Sequence, residues 1–244
     1  MNPPARLFEI WTFLAQSPLL WLSLTLLAYL GALWLHAKSG RNPVVNPVLV
    51  SVVVIVAVLL ATRTPYDTYF EGAQFVHFLI GPATVALAVP LYGQIARLRR
   101  LWLPLGVALI VGSVAAIVSA VGIAWVLGGS HELLMSLAPK SATMPIAMGV
   151  AEKIGGLASL AAVAAAVAGI SGAIMATGLL NLLRIEEPAV RGFAVGMAAH
   201  GIGTARAIQV NETAGAFSAL ALGLNGIATA LLVPLLIKLS GGFF

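Results

Sequence analysis

The sequence predicts an all-α integral membrane protein with about seven transmembrane helices in an inverted repeat with broken helices, plus an N-terminal interfacial helix. Three observations lead there. Of the 244 residues, 60% are hydrophobic and 9% charged, with a mean hydropathy of +1.03; soluble domains carry about 25% charged residues. Apolar runs of membrane length recur to the end of the chain, and short motifs recur in the same order in its two halves. No positive leader with a cleavage site opens the chain, so the apolar segments are read as spans rather than a removable signal. The formal charge of +5 is read as basic cytoplasmic loops, not as a nucleic-acid surface. The absence of Cys excludes disulfides, thiolate metal sites and a Cys nucleophile.

Residues 3–16, PPARLFEIWTFLAQ, are too short to span and read as an interfacial helix. Ser17-Pro18 opens a first span, Leu19 to Leu35, with Trp21 and Trp34 near the two interfaces. A polar turn from His36 to Asn46 precedes a short second span, Pro47 to Ala61. A mixed-charge connection, Arg63 to Glu71, leads to a third span over 73–96, which Gly81-Pro82 divides, because the residue before proline leaves the helical region. Pro82 suits the first turn of the next half. The basic cluster Arg97, Arg99 and Arg100 precedes a long fourth span, Leu101 to Leu127. Lys140 to Lys153, KSATMPIAMGVAEK, is polar at both ends around Thr143 and Pro145 and is expected to be a half-helix or re-entrant segment. Residues 154–183 are rich in Ala and Gly, which suits close helix packing. The last span is Ala214 to Ile237, with Asn225 near its middle.

Lys38-Ser39-x-x-x-Pro43 recurs as Lys140-Ser141-x-x-x-Pro145, and Gly81-x-x-Thr84 as Gly201-x-x-Thr204. The ordered pair indicates a duplication within one polytopic domain, 1–244. Repeat 1 covers about 19–100, repeat 2 about 101–210 and a final helix about 214–238. An odd number of crossings per copy inverts the second copy, and the two breaks are expected to meet near the midplane. With seven crossings, Lys38, Arg41, Arg97, Arg99, Arg100, Arg184, Arg191 and Lys238 share one side. Positive-inside then places the N-terminus outside and the C-terminus in the cytoplasm.

The arrangement centres on Pro188 to Val210, PAVRGFAVGMAAHGIGTARAIQV. It is apolar enough to enter a bilayer, yet carries His200, Thr204 and Arg206, with glycine at Gly196, Gly201 and Gly203. Glycine inside a helix costs about 1 kcal/mol against Ala, so these positions predict a break. Broken backbone at membrane depth survives only where it lines a protein-buried or wet cavity. The stretch is therefore read as half of a solute-binding site.

GPATVALAVPLYGQ, PKSATMPIAMGVAEKIGG and AAHGIGTARA with GAFSALALGLNGIATALLVPLL resemble the LrgB/CidB family, which includes the plastid glycolate/glycerate translocators. The resemblance runs from about residue 40 onward. It implies a multi-pass protein of the inner (cytoplasmic) membrane. It also implies either export of small 2- or 3-carbon organic acids or, as the alternative, a holin/antiholin-associated regulator of murein hydrolase export and cell lysis. Met144 stands where the pattern expects Thr, and Gly93 where it expects a basic residue. The expected activity is secondary transport of small monocarboxylates of the glycolate, glycerate, lactate or pyruvate class. The partners are then the carboxylate, the lipid bilayer, a coupling proton or sodium ion, a small holin-like LrgA/CidA protein and a second copy in a homodimer; nucleic acid is not among them.

The candidate substrate-binding residues are Gly81, Pro82, Thr84, Thr143, Pro145, Glu152, Lys153, His200, Gly201, Gly203, Thr204, Arg206 and Asn225. Arg206 suits bidentate binding of a carboxylate; the plainer reading is an ion pair with Glu152 or Glu212, or snorkelling. Of Glu152 and Lys153, which point about 100° apart on a helix, one faces a proton or substrate path while the other reaches the interface, or both are simply solvated. An unperturbed imidazole has a pKa of about 6.5, so His200 suits proton coupling, but it equally packs against a helix through a backbone carbonyl. Thr84 and Thr204 cap freed N–H groups or touch ligand. Two half-helix N-termini form an anion site, which Asn225 completes unless it only bonds a neighbouring helix. No enzyme is expected: no nucleophile–base set, nucleotide-binding motif, cofactor site or metal-ligand cluster stands out, and His36, His77, His131 and His200 are scattered.

Overall fold

The computed structural model describes residues 17–86 and 88–239, and every described element is helical. The expected interfacial helix at 3–16 lies outside these residues. The chain divides into two compact units, up to Ala86 and from Leu87 onward.

In the first unit, α1 (Pro18–Lys38) starts on a proline at the first helical position and is long enough to cross a bilayer. The turn after it is closed by His36, whose Nδ1 meets the Val45 carbonyl at 2.7 Å. Asn46 then caps α2 (Pro47–Thr62), its side chain accepting from the Val48 and Leu49 amides. α3 (Tyr66–Phe78) packs on α1 where Gly72 lets the Pro18 carbonyl approach. Trp21 is fully buried and meets Tyr69 edge-on at 5.9 Å. The expected break falls at Leu79, not at Gly81-Pro82. Gly81 and Pro82 lie in the first turn of α4 (Ile80–Ala86), where the N–H that proline lacks would have had no helical partner.

The second unit begins with α5 (Ala88–Gly93), so the expected third span is a series of short helices rather than two halves. α6 (Ile95–Val126) takes Arg97, Arg99 and Arg100 into its first two turns instead of leaving them in a loop. At 32 residues it is about 48 Å long, well beyond the roughly 30 Å of a hydrocarbon core. α7 (His131–Leu137) is capped by Ser130, and α8 (Met144–Lys153) is the expected half-helix, with Thr143 at its N-cap and Pro145 in its first turn. α9 (Ala158–Leu182) is followed by α10 (Pro188–Val210) and α11 (Glu212–Leu239).

α10 is not a single rod. His200 has φ +37° and ψ −130°, and the chain reverses there. A Cβ on Gly203 would lie 2.5 Å from the Ala199 Cβ and 3.1 Å from the Val195 carbonyl oxygen. In a straight helix the eight residues from Val195 to Gly203 span about 12 Å. Arg191, Gly192 and Val195 line one crevice with Arg206, Ala207 and Val210, which only antiparallel limbs allow. The first limb runs parallel to α11: a Cβ at Gly192 would meet the Ala214 oxygen at 2.1 Å, and one at Gly196 the Ser218 oxygen at 2.1 Å. This G-x-x-x-G spacing brings the two backbones together. The second limb runs antiparallel to α11, with Ile208 against Gly215 and Thr204 against Ser218.

The core of this unit has an upper and a lower layer. Ala189, Phe193, Phe217 and Ala221 pack with Leu101 and Leu105 around the base of the α10 hairpin. At the other end, Val233 packs with Ile117, Val121, Leu134, Met135 and Val150. α11 therefore begins at the end that carries Arg97, Arg184 and Arg191, and finishes at the opposite one. Lys238, grouped with those arginines by a seven-crossing count, is separated from them by the length of α11. Among the described residues, four helices are long and apolar enough to cross a membrane: α1, α6, α9 and α11.

Candidate functional site

Two interruptions of helix meet in the second unit. The loop between α7 and α8 carries Lys140 and Ser141; the other interruption is the tip of the α10 hairpin. Asn225, 1% exposed in the middle of α11, joins them. Its Nδ2 donates to the Ser141 carbonyl at 2.9 Å and to the Met197 carbonyl at 3.1 Å, and its Oδ1 accepts from the Ser113 hydroxyl at 2.8 Å. Carbonyls left over where helices break are thus satisfied by a side chain instead of water. Asn225 was expected either to contact substrate or to hold a neighbouring helix. Its amide is used on the backbone.

The tip is fixed by two further contacts. His200 is 2% exposed, and its Nε2 donates to the Ala165 carbonyl at 2.8 Å, which sets the ring tautomer. Gly169 of α9 makes room for the ring, since a Cβ there would lie 2.7 Å from Cε1. Thr204 donates to the His200 carbonyl at 2.8 Å and shares a 2.9 Å hydrogen bond with Ser218. Gly201 has open space where a side chain would go, whereas Gly203 is closely packed.

Beside this junction lies a cleft of about 580 Å³ between the first half of α6 and the first limb of α10. Leu101, Leu105, Phe193 and Met197 contribute to its walls, and Lys140 and Ser141 lie together in its lining. Among the described residues, no carboxylate lines it. A cation in an apolar surrounding calls for an anion. Arg97 and Glu187 form an ion pair across α6 and the start of α10, and Glu187 also caps α10 through the Ala189 amide.

The remaining candidates lie elsewhere. Arg206 is half-buried in a separate crevice of about 50 Å³, with Arg191, Thr177 and Val195. Glu152 and Lys153 are exposed at the last turn of α8. Thr143 and Pro145 occupy the start of α8 without a side-chain cap bond. Gly81 and Pro82 are exposed on α4 in the first unit, and Thr84 follows them on the same helix.

A family profile described as "LrgB-like family" matches residues 25–239. The chain belongs to that family. An uncharacterized protein of Bacillus subtilis, YwbG, is 35% identical over 217 residues, 89% of this chain and 96% of its own. An uncharacterized protein of Haemophilus influenzae is 34% identical over 203 residues, 83% of this chain and 88% of its own. The antiholin-like protein LrgB of Bacillus mycoides is 27% identical over 227 residues, 93% of this chain and 98% of its own. No solved structure matches.

For this LrgB-like chain, sequence reasoning missed Lys140, Ser113, Ser141 and Met197 as parts of the junction. Lys140 and Ser141 had a signal, because they form the second copy of the Lys-Ser-x-x-x-Pro repeat. Ser113 and Met197 had none, since a serine and a methionine in apolar helices look like packing. Both departures from the family pattern, Met144 and Gly93, are exposed and lie outside the cleft lining.

Proposed function

We propose that this LrgB-like protein is a secondary transporter of small monocarboxylates. The observation that carries the reading is a lysine in the lining of an apolar cleft that has no carboxylate among its described lining residues, next to the meeting point of two helix breaks. Such breaks, approaching the midplane from opposite faces, are the usual substrate-site architecture of secondary transporters. The substrate carboxylate takes the Lys140 ammonium as its counter-ion, and a proton or sodium ion accompanies it. On this reading α10 is re-entrant: it enters from the end bearing Arg97, Arg184 and Arg191 and returns there. Positive-inside makes that end cytoplasmic and the end of α11 external, the reverse of the cytoplasmic C-terminus expected from seven crossings.

The test is counterflow of labelled glycolate, lactate and pyruvate in proteoliposomes. Wild type is expected to exchange at least one of them, and Lys140→Met none. Wild type that exchanges no monocarboxylate would overturn the proposal.

A second reading draws on the antiholin-like relatives: control of murein hydrolase release through a small holin-like partner. It predicts that Lys140→Met, with the fold intact, leaves hydrolase release unchanged, because control by association needs no anion in the cleft.

A further inference from the structure

We infer that Lys140 divides one anion path into two clefts that open at opposite ends of α6, and that its side chain is the gate between them. The inference rests on the transport reading and adds how that site is reached and closed. Lys140 lines the cleft of about 580 Å³ already described, and also a second one of about 640 Å³. Among the described residues it is the one that lines both. α6 shows how the two are related. The first cleft takes residues of that helix from Leu101 to Ala116, and the second from Ala120 to Leu127. Ala108, Gly112, Ala116, Ala120 and Ala124 are spaced four apart, so they share one face, and the clefts follow one another along it. Between Ala116 and Ala120 lie about 6 Å of helix, and Lys140 belongs to both sides of that gap.

The outer ends differ in sidedness. The first cleft starts one residue beyond Arg100, at the end that positive-inside makes cytoplasmic. The second finishes at Gly128, Gly129 and Ser130, in the connection to α7 at the other end of α6. Ser130 and Ser141 apart, Lys140 is the polar side chain in either lining. An anion arriving from either end therefore meets its counter-ion at the same place. The backbone there is fixed. The Lys140 amide donates to the Leu137 carbonyl at 3.1 Å, the Ala142 amide to the Pro139 carbonyl at 2.9 Å, and Asn225 holds the Ser141 carbonyl. Pro139 and Ser141 are buried on either side of a half-buried Lys140. The part left to move is its four-carbon stem, whose ammonium is a compact charge with no planar geometry to satisfy. Swinging that stem across the gap carries the counter-ion from one cleft to the other while the loop stays in place. A stem lying in the gap also keeps the two clefts from joining into an open pore.

The chain has no cysteine, so single introduced ones report access directly. Ala116→Cys and Ala120→Cys are treated with a membrane-impermeant methanethiosulfonate in intact cells and in inverted membrane vesicles. Although the two positions are one turn apart, Ala116→Cys is expected to react only from the cytoplasmic side and Ala120→Cys only from outside. With Lys140→Gly added, both are expected to react from both sides. Lys140→Met keeps the length of the side chain and should preserve the sidedness while abolishing exchange. Reaction of both cysteines from one side, or of neither from any, would overturn the inference. Sidedness that survives Lys140→Gly would also overturn it, because the barrier would then lie elsewhere. So would counterflow of glycolate, lactate or pyruvate that continues undiminished once either cysteine is modified; the transport reading would stand, with its path outside these clefts. Wild type that exchanges none of the three removes that reading, and the inference with it, whatever the cysteines show.

Discussion

The side-chain amide of Asn225 donates to the Met197 carbonyl at 3.1 Å, fastening the middle of α11 to the last turn before the chain reverses at His200. The same amide holds the Lys140–Ser141 loop through the Ser141 carbonyl. One residue thus positions both helix breaks. Asn225→Leu keeps the volume but leaves two carbonyls and the Ser113 hydroxyl without it. At about 1–3 kcal/mol for each buried group left unsatisfied, the variant should unfold several degrees below wild type in detergent. An unchanged midpoint would show that water replaces the amide.

The glycines of α10 should separate by position. Gly196→Val forces a side chain into the backbone at Ser218 and should cost more than the 1–3 kcal/mol of ordinary overpacking. Gly201 has open space around it, so Gly201→Ala should be neutral or stabilising by up to about 1 kcal/mol. Thermal midpoints of the two purified variants check both.

Accessibility reporters should read opposite sides at the two ends of α11. One inserted in the connection between Arg184 and Pro188 is expected in the cytoplasm, and one fused after the last helix outside. Equal readings would mean that α10 crosses the membrane rather than returning.

Arg206 and Lys140 offer two places for the anion, and the cleft favours Lys140. Arg206→Lys is expected to keep carboxylate affinity within about twofold, since it preserves charge in a crevice apart from the cleft, while Lys140→Gln should lose a charge-assisted contact of roughly 1.5–3 kcal/mol. Binding that fails in Arg206→Lys and survives in Lys140→Gln would move the anion to the arginine, where a planar fork matters.

Composition and hydropathy made the helical membrane class legible, and proline and polar punctuation placed most helix starts within a few residues. α8 was legible because proline sits just inside its start and lysine at its end. The reversal in α10 was legible as a break but not as a turn. Glycine spacing registers loss of helix propensity, whereas here Gly192 and Gly196 serve packing and the positive φ belongs to His200. Direction was hidden because it depends on which helix each limb lies against, a long-range property that no local pattern carries. For the same reason Lys140 looked like a loop charge. Its setting comes from α6 and α10, distant in sequence.

The hairpin in α10 also constrains the order in which the protein is made. Each limb is too short to span, and with Arg191, His200 and Arg206 aboard neither is a favourable guest in lipid by itself. Contacts with the earlier α9 hold the tip through His200 and the Ala165 carbonyl, whereas Ala214 against Gly192, Ser218 against Gly196 and Thr204, and Asn225 against the Met197 carbonyl come from the helix synthesised afterwards. The hairpin's packing is therefore incomplete until α11 has been made, and a chain that stops before Glu212 keeps the α9 contacts of the tip but lacks those that close Gly192 and Gly196 against a neighbouring backbone.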